Sequence, residues 1–562
     1  MNILGLNYYY HDTTASIVSD GELIVAIEEE RITRDKHTWS FPTRSASKVM
    51  QVTGLKPEDI HHVAISIKPT LNLGARTLYG LKNIANIKPF LKHELIAGRN
   101  KQIAFKRWFN QTFGHLAKKP HVHFIPHHVS HAAGTFFVSP YENAALLGID
   151  GAGEWATAYL GYGEGTKITE FNQSYFPYSL GSFYEAVTQY CGFKPNYDEG
   201  KTMGLAPLGD ATPFYDKMSK LVSIDKEGGI NIDLSYFSYQ YWGHQRFSQK
   251  FIDTFGPPRS KSGEFNENHV NVAAAAQRVL EDRILQMCEV LYNKTKAEYI
   301  VMAGGVSLNS VANGRVVRES NFKDVYVMPA AGDNGTGIGA SFYVYNKVLG
   351  HPRKFVHLTP YIGNGYSNEE IASTIKECKL NAEYHEDICS EAAKLLRAGN
   401  ILGWFQGNME IGPRSLGNRS ILADPTIPGM KDKINADVKH REAYRPFAPS
   451  CTVEDKGKFF EIEVEDPFML KVCYVKPEAR SLLPAITHVD GSARLQTVRK
   501  EINPRYHELL SKFGELSGAP VLLNTSFNIM GEPIVESPYH AIRCFFSTGL
   551  DILVLGNYII KK

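Results

Sequence analysis

At 562 residues the chain exceeds what one compact core supports, and ~100–250 residues per domain points to two to four units. With 43% apolar and 21% charged residues it is neither disordered nor fibrous, and a net charge of +2 gives no global attraction to nucleic acid or an anionic membrane. Seven dispersed cysteines without CxxC spacing, and no secretory leader or apolar run of ~18 residues, predict reduced thiols in a cytoplasmic protein with no membrane partner.

Residues 3 to 27 alternate apolar runs with a polar loop at His11-Asp12 and an Asp20-Gly21 turn, which predicts a strand followed by a hairpin. The plan recurs around Asp150: an apolar strand, the glycine-rich turn Asp150-Gly151-Ala152-Gly153, then a second hairpin. Two such units ~145 residues apart predict an internally duplicated, nucleotide-handling α/β fold. A helix over about 268–294 carries an apolar stripe from Val272 to Leu291, and the buried strand from Tyr299 leads into Ala303-Gly304-Gly305-Val306-Ser307-Leu308-Asn309. Glycines at a strand-to-helix turn let the backbone approach a ribose or phosphate, so Gly304, Gly305 and Asn309 are candidate nucleotide contacts.

His127 and His131 stand four apart, which on a helix puts both imidazoles on one face within reach of one metal ion. The alternative for such a pair is a helix cap or a hydrogen-bonded core histidine. Asp150 and Asp333 each occupy a glycine-rich turn at a strand end, and the four together form an imidazole and carboxylate set suited to iron(II) or zinc. Lys201, in Glu199-Gly200-Lys201-Thr202-Met203-Gly204, sits in a glycine-bounded turn that suggests a nearby phosphate without the spacing of a P-loop. Between Arg76 and Lys119 ten Lys/Arg face one acid, Glu94, which reads as a solvated helical insertion or as an anion-attracting lid.

Glycines and prolines from 350 to 366 break the periodicity and predict a domain boundary. Beyond it, cations recur in glycine- or proline-rich turns: Arg414 in Gly412-Pro413-Arg414-Ser415-Leu416-Gly417, Lys439 and Arg445 in the run from Lys439 to Pro449, and Arg494 after Asp490-Gly491. Forked guanidinium donors suit phosphate oxygens, and the strand ending Leu523-Asn524-Thr525-Ser526 could add neutral donors through Asn524 and Ser526.

These motifs, with Glu28-Glu29-Glu30-Arg31, HxxxH at 127–131, DGAGE at 150–154, EGKTMGLAP at 199–207, GDNGTGIGA at 332–340, GPRSLGNRS at 412–420 and KHREAYRPFAPS at 439–450, span essentially the whole chain. The chain resembles the NodU/CmcH-type O-carbamoyltransferases. The resemblance implies an α/β protein with a duplicated actin/Hsp70-like (ASKHA, threonylcarbamoyl-transferase-like) domain over 1–355 and a YrdC-like domain over 366–562. It implies that the second domain makes carbamoyl-adenylate from carbamoyl phosphate and ATP with Mg2+, that the adenylate moves internally to the first, and that a hydroxyl of a small-molecule acceptor, a natural product or sugar, attacks it. On this reading His127, His131, Asp150 and Asp333 hold iron(II) or another divalent metal, Arg414, Lys439, Arg445, Arg494, Asn524 and Ser526 form the adenylate site, and His11 is the general base with Asp12 orienting it. A homodimer is open to such an enzyme, nucleic acid is not an expected partner, and Thr13-Thr14, where relatives often carry Ala-Ser, leaves the acceptor's shape open. Two rival readings keep the fold: a tRNA threonylcarbamoyl-type transferase, and a nucleotide-binding regulator without turnover.

Overall fold

The computed structural model describes residues 1–83, 98–241 and 243–562. They form two compact units, Met1–Glu29 with His37–His357, and Glu30–Lys36 with Leu358–Lys562.

In the first unit, β1 (Asn2–Asn7), β2 (Thr14–Ser19), β3 (Glu22–Glu28), β4 (Ile60–Ile65) and β5 (His121–Phe124) lie in the order β3-β2-β1-β4-β5. Asp20 and Gly21 both take positive φ, 47° and 83°, as a two-residue hairpin turn between β2 and β3 requires. β1 pairs antiparallel with β2 and parallel with β4, so it is the central strand, and from Ile3 to Asn7 it is buried on both faces. Helix α1 (His127–Phe136) follows β5.

The second sheet repeats this plan. Strands β6 (Asn143–Ile149), β7 (Ala156–Glu164) and β8 (Lys167–Tyr175) form an antiparallel meander, and β6 pairs parallel with β9 (Tyr299–Ala303), which pairs parallel with β10 (Asp324–Val327). The order β10-β9-β6-β7-β8 matches β5-β4-β1-β2-β3 strand for strand. The duplication expected from two similar strand-and-turn starts is therefore present in the hydrogen-bond topology, which is that of the actin/Hsp70-type fold.

The helix expected over 268–294 runs from Glu267 to Thr295, with Val272, Ala276, Val279, Leu280, Ile284, Met287 and Leu291 buried. Helix α1 crosses the short helix Thr336–Phe342, which is α3 after α2 (Glu267–Thr295), at paired glycines. A Cβ on Gly339 would lie 1.9 Å from the carbonyl oxygen of Ser130, and one on Gly134 would lie 3.0 Å from Gly339 Cα. Only glycine permits that approach, and it is what brings the start of α1 beside the turn that precedes α3.

The second unit is built on an eight-stranded mixed sheet, in the order Glu383–Tyr384, Tyr558–Lys561, Ile552–Leu555, Leu402–Phe405, Arg419–Ala423, Val521–Ser526, Ala448–Thr452, Gln496–Val498. Its strands alternate between two cores with period two. Ile421, Leu523 and Leu553 face one core with Ile371 and Ile542, whereas Leu422, Leu522 and Val554 face the other with Leu396, Leu509 and Phe513. Helices Asn368–Glu377 and Pro538–Phe546 thus cover one face, and Ile388–Arg397 and Pro504–Ser517 the other. Arg34 belongs to this unit, donating at 2.6 Å to the carbonyls of both Pro533 and Ile534. All seven cysteines are free, and no helix among the described residues is long and apolar enough to cross a membrane.

Candidate functional site

The carboxyl ends of β1 and β6 converge on the amino end of α1 in the first unit, and the turn after β10 joins them. His127 Nε2 and His131 Nε2 lie 3.1 Å apart, each 3.2 Å from Asp150 Oδ2, and Asp333 Oδ1 is 3.4 and 3.6 Å from them. Four donor atoms at van der Waals separation or closer are spaced as ligands of one ion: metal–ligand bonds of ~2.0–2.2 Å place tetrahedral ligands about 3.4 Å apart. All four side chains are largely removed from solvent. The donor set, two imidazoles and two carboxylates with no thiolate, fits a divalent transition metal.

Each ligand is held by its backbone context. Asp150 Oδ1 accepts from the backbone N–H of Gly151 at 2.8 Å and of Gly305 at 3.2 Å, leaving Oδ2 turned to the histidines. Glu154, three residues beyond the Gly151 turn, accepts from the N–H of His127 at 3.0 Å and from that of Lys68 at 2.7 Å, so it caps α1 and fixes its first ligand. The Asp333 turn is tied by Thr336, whose hydroxyl donates to the Asp333 carbonyl at 2.7 Å, and by Asn334, which donates to Glu28 at 3.0 Å. Burial by itself would lower the His127 pKa, but the Asp333 and Asp150 carboxylates lift it well above the ordinary imidazole value. Burial would raise Asp150, and the hydrogen bonds from His127 and His131 bring it well below the usual carboxylate range. Imidazoles and carboxylates this close stabilise one another's charged forms, and a cation binding the Nε2 atoms would take the place of the shared protons.

Beside it stands a second cluster. Asp12, at φ 55°, places Oδ2 2.8 Å from His11 Nδ1 and Oδ1 2.7 Å from His37 Nδ1. With Nδ1 engaged, Nε2 is the atom of His11 free to exchange a proton, the arrangement in which a carboxylate sets the tautomer of a general base. Burial lowers the His11 pKa, while Asp12, and behind it Asp333 and Asp150, raise it to about 10, which would leave the ring protonated at neutral pH; a divalent ion on Asp150 and Asp333 would cancel their part of that rise and lower the value further, so the ring could accept a proton only with the quartet filled. His37 carries no motif of its own, and the two positive-φ residues, Asp12 and His37, are what fold the two loops onto one carboxylate. The stretch expected to be a glycine-bounded turn around Lys201 is the helix Glu199–Leu205, and at its start Glu199 is pushed up to about 7 by burial and by Glu185.

The remaining nucleotide candidates in this unit separate. Gly304, at φ 90°, lies so close to β6 that a Cβ would meet the Ile149 carbonyl at 2.2 Å, and Gly305 is the amide that holds Asp150. Asn309 caps the helix Ser310–Glu319, accepting from Ala312, and exchanges two amide hydrogen bonds of 3.0 Å with Gln277. Lys201 pairs with Asp198 at 3.0 Å. Of the basic insertion, Lys88 and Lys92 lie outside the described residues; Lys101, on the helix Gly98–Phe113, reaches back toward β1, its Nζ 4.9 Å from the ring centres of Tyr9 and Trp39 and 5.7 Å from Tyr10.

In the second unit Arg414, Arg445 and Arg494 approach one another. Burial first, then Arg494 and Arg445, push the Arg414 pKa well below the guanidinium range, and burial brings Arg494 down to about 10. Asp466 lies near Arg414 and Arg494, but its Oδ2 accepts from the N–H groups of Leu470 and Lys471 at 2.7 and 2.6 Å and its Oδ1 from that of Phe468 at 3.3 Å. Lys439 is buried and donates to Ser526 and Asn528, with Asn528 Oδ1 at 2.8 Å. Asn524 donates to Ser450 at 3.0 Å and Gln496 at 3.1 Å, while its Oδ1 and the Nε of Arg494 are buried without a partner among the described residues. Partly buried guanidiniums this close, with polar atoms among them that have no partner among the described residues, are organised for an anion.

A duplicated actin/Hsp70-type unit with a buried ligand quartet thus shares one chain with an α/β unit that gathers several cations, the combination of a group-transfer protein. The chain belongs to the carbamoyltransferase family: residues 2–342 match the model described as Carbamoyltransferase N-terminus, and 393–562 that described as Carbamoyltransferase C-terminus. It is 39% identical to the uncharacterized protein sll1178 of Synechocystis sp., over 100% of this chain and 97% of that one. It is 36% identical to the nodulation protein NolNO of Sinorhizobium fredii, over 99% and 80% of the two chains. To the 3'-hydroxymethylcephem-O-carbamoyltransferase of Amycolatopsis lactamdurans it is 36% identical, over 65% of each.

Proposed function

We propose that the protein is an ATP-dependent O-carbamoyltransferase for a small-molecule hydroxyl, with adenylate formation in the second unit and carbamoyl transfer in the first. The observation that carries this reading is the division of chemistry within the chain: a buried arginine and lysine pocket in one unit, and a metal-type quartet with an Asp-held histidine in the other.

Carbamoyl phosphate, ATP and water would give carbamoyl-adenylate, inorganic phosphate and pyrophosphate. Arg414, Arg445, Arg494 and Lys439 would offset the crowded negative charge and stabilise the departing phosphates, with Mg2+ bound to ATP. Asn524 Oδ1 and Arg494 Nε are the buried polar atoms open to the carbamoyl amide and a phosphate oxygen. In the transfer step the acceptor O–H loses its proton to His11 Nε2, the oxygen bonds to the carbamoyl carbon, and AMP leaves. Asp12 holds the imidazole and balances its positive charge.

His127, His131, Asp150 and Asp333 would hold the metal, iron(II) or another divalent ion such as zinc. When bound it would supply Lewis-acid stabilisation of charge on the adenylate. Purified protein should carry close to one divalent metal per chain by elemental analysis, and a reaction with carbamoyl phosphate, ATP and a mixture of hydroxylated metabolites should yield a product heavier by one carbamoyl increment. Carbamoylation of tRNA instead of a small molecule would overturn the acceptor class.

A further inference from the structure

The ammonium of Lys101 is framed by three aromatic rings, yet none of its three N–H groups has a hydrogen-bond acceptor or an ion-pair partner among the described residues. Ring faces answer a positive charge but offer no lone pair of the strength a half-buried ammonium requires. Trp39 is the ring that joins this group to the reaction centre: its indole lies 4.9 Å from Lys101 Nζ and 5.9 Å from the His11 ring, and 45% of the residue is exposed. His11 is in turn locked to Asp12 and His37, and the His37 ring meets Tyr197 edge-on at 4.9 Å. The half-exposed indole thus meets the His11 ring edge-on and carries over its own ring an ammonium that the Asp333 carboxylate reaches only through space. An acceptor laid against Trp39 would have His11 and Lys101 both within reach of its substituents.

We propose that Lys101 and Trp39 form the acceptor subsite, and that the acceptor is a sugar-like polyol bearing a carboxylate or phosphate. The inference rests on transfer taking place at His11, as proposed above. The apolar C–H face of the sugar covers the indole, and the anion takes the Lys101 N–H donors that have no acceptor among the described residues. Lys101 is a specificity residue here; it takes no part in bond making.

The test is equilibrium binding to the full-length, metal-loaded protein of three probes: glucuronate, its uncharged methyl ester, and AMP. Wild type should bind glucuronate on the order of tenfold more tightly than the ester, Lys101→Gln should abolish that preference with the ester's affinity within about twofold of wild type, and Lys101→Arg should keep it. No preference in wild type, or the same preference in Lys101→Gln, would overturn the proposal. Weaker AMP binding in Lys101→Gln with the glucuronate preference intact would also overturn it, by assigning the cation to the nucleotide. Pyrophosphate release from ATP and carbamoyl phosphate, measured on the same preparations, reports the underlying reading separately: its absence in wild type sinks that reading, whereas release without a glucuronate preference sinks the acceptor assignment alone.

Discussion

Asp12 serves two imidazoles at once, and its loss should be felt more than the loss of His37. Asp12→Asn keeps the shape but lets the amide nitrogen face one ring, so His11 loses its fixed tautomer; the expected fall in carbamoyl transfer is on the order of 10²–10⁴-fold. His37→Gln keeps a hydrogen-bond donor for Oδ1, and the expected fall is smaller, about tenfold or less. Single-turnover transfer from preformed adenylate measures both, and equal rates for Asp12→Asn and wild type would show that the carboxylate has no role in transfer. At the metal quartet the expected effect is different in kind: Asp333→Ala removes one of four donors and should lower bound metal per chain, read by elemental analysis independently of turnover. The quartet stood out in the sequence as an HxxxH pair on one helix and two aspartates in glycine-rich turns at strand ends, and the structure brings the four together, whereas His11 and Asp12 were singled out through the family resemblance. His37 was not, since nothing in its own neighbourhood points to a partner 25 residues back and only the two left-handed backbone positions bring them together.

At the scale of elements, the quartet depends on how closely α1 and α3 approach. Gly339→Ala puts a methyl group where the Ser130 carbonyl oxygen stands, so the helices must part. A loss of about 1–3 kcal/mol in unfolding free energy by urea denaturation is expected, with reduced metal content; unchanged stability and metal would show that the crossing is slack. A second prediction concerns β4 and β5, where His62 Nδ1 lies 3.0 Å from His123 Nε2 and the His62 ring stacks on His121. Burial first, then the neighbouring histidines 123, 121 and 61, lowers the His62 pKa to about 4. The unfolded chain, with a value near 6.5, takes up the proton first as pH falls, so folding stability is full above about 6.5 and declines from there toward pH 4. Urea midpoints at pH 7.5 and 5 should therefore differ less in His62→Gln than in wild type, and an equal difference would remove the ladder as a pH-sensitive element. These strands were readable as elements from their alternation, but the pairing of His62 with His121 across parallel strands requires the register, which no local pattern carries.

At the scale of the whole molecule, the duplication was visible in the sequence because two strand, turn and hairpin starts recur, and the second sheet then repeats the first in strand order. The long stripe from Val272 to Leu291 was equally plain, since a 3.6-residue period over seven positions has no other solution. Less visible was that Glu30–Lys36 leaves the first unit and packs with the second, because a short charged run reads as a solvated helix end until Arg34 is seen donating to Pro533 and Ile534. Lys101 was hidden for a related reason: ten cations in one stretch look alike, and only the rings from β1's loop and Trp39 distinguish one of them. The central claim is that the chain divides its chemistry between two sites. It is tested most directly by pyrophosphate release from ATP and carbamoyl phosphate in Arg494→Ala and His11→Asn. Arg494→Ala should lose release by about 100-fold or more, whereas His11→Asn should keep it near the wild-type rate and lose only carbamoyl transfer. Equal loss of pyrophosphate release in both variants would contradict the account.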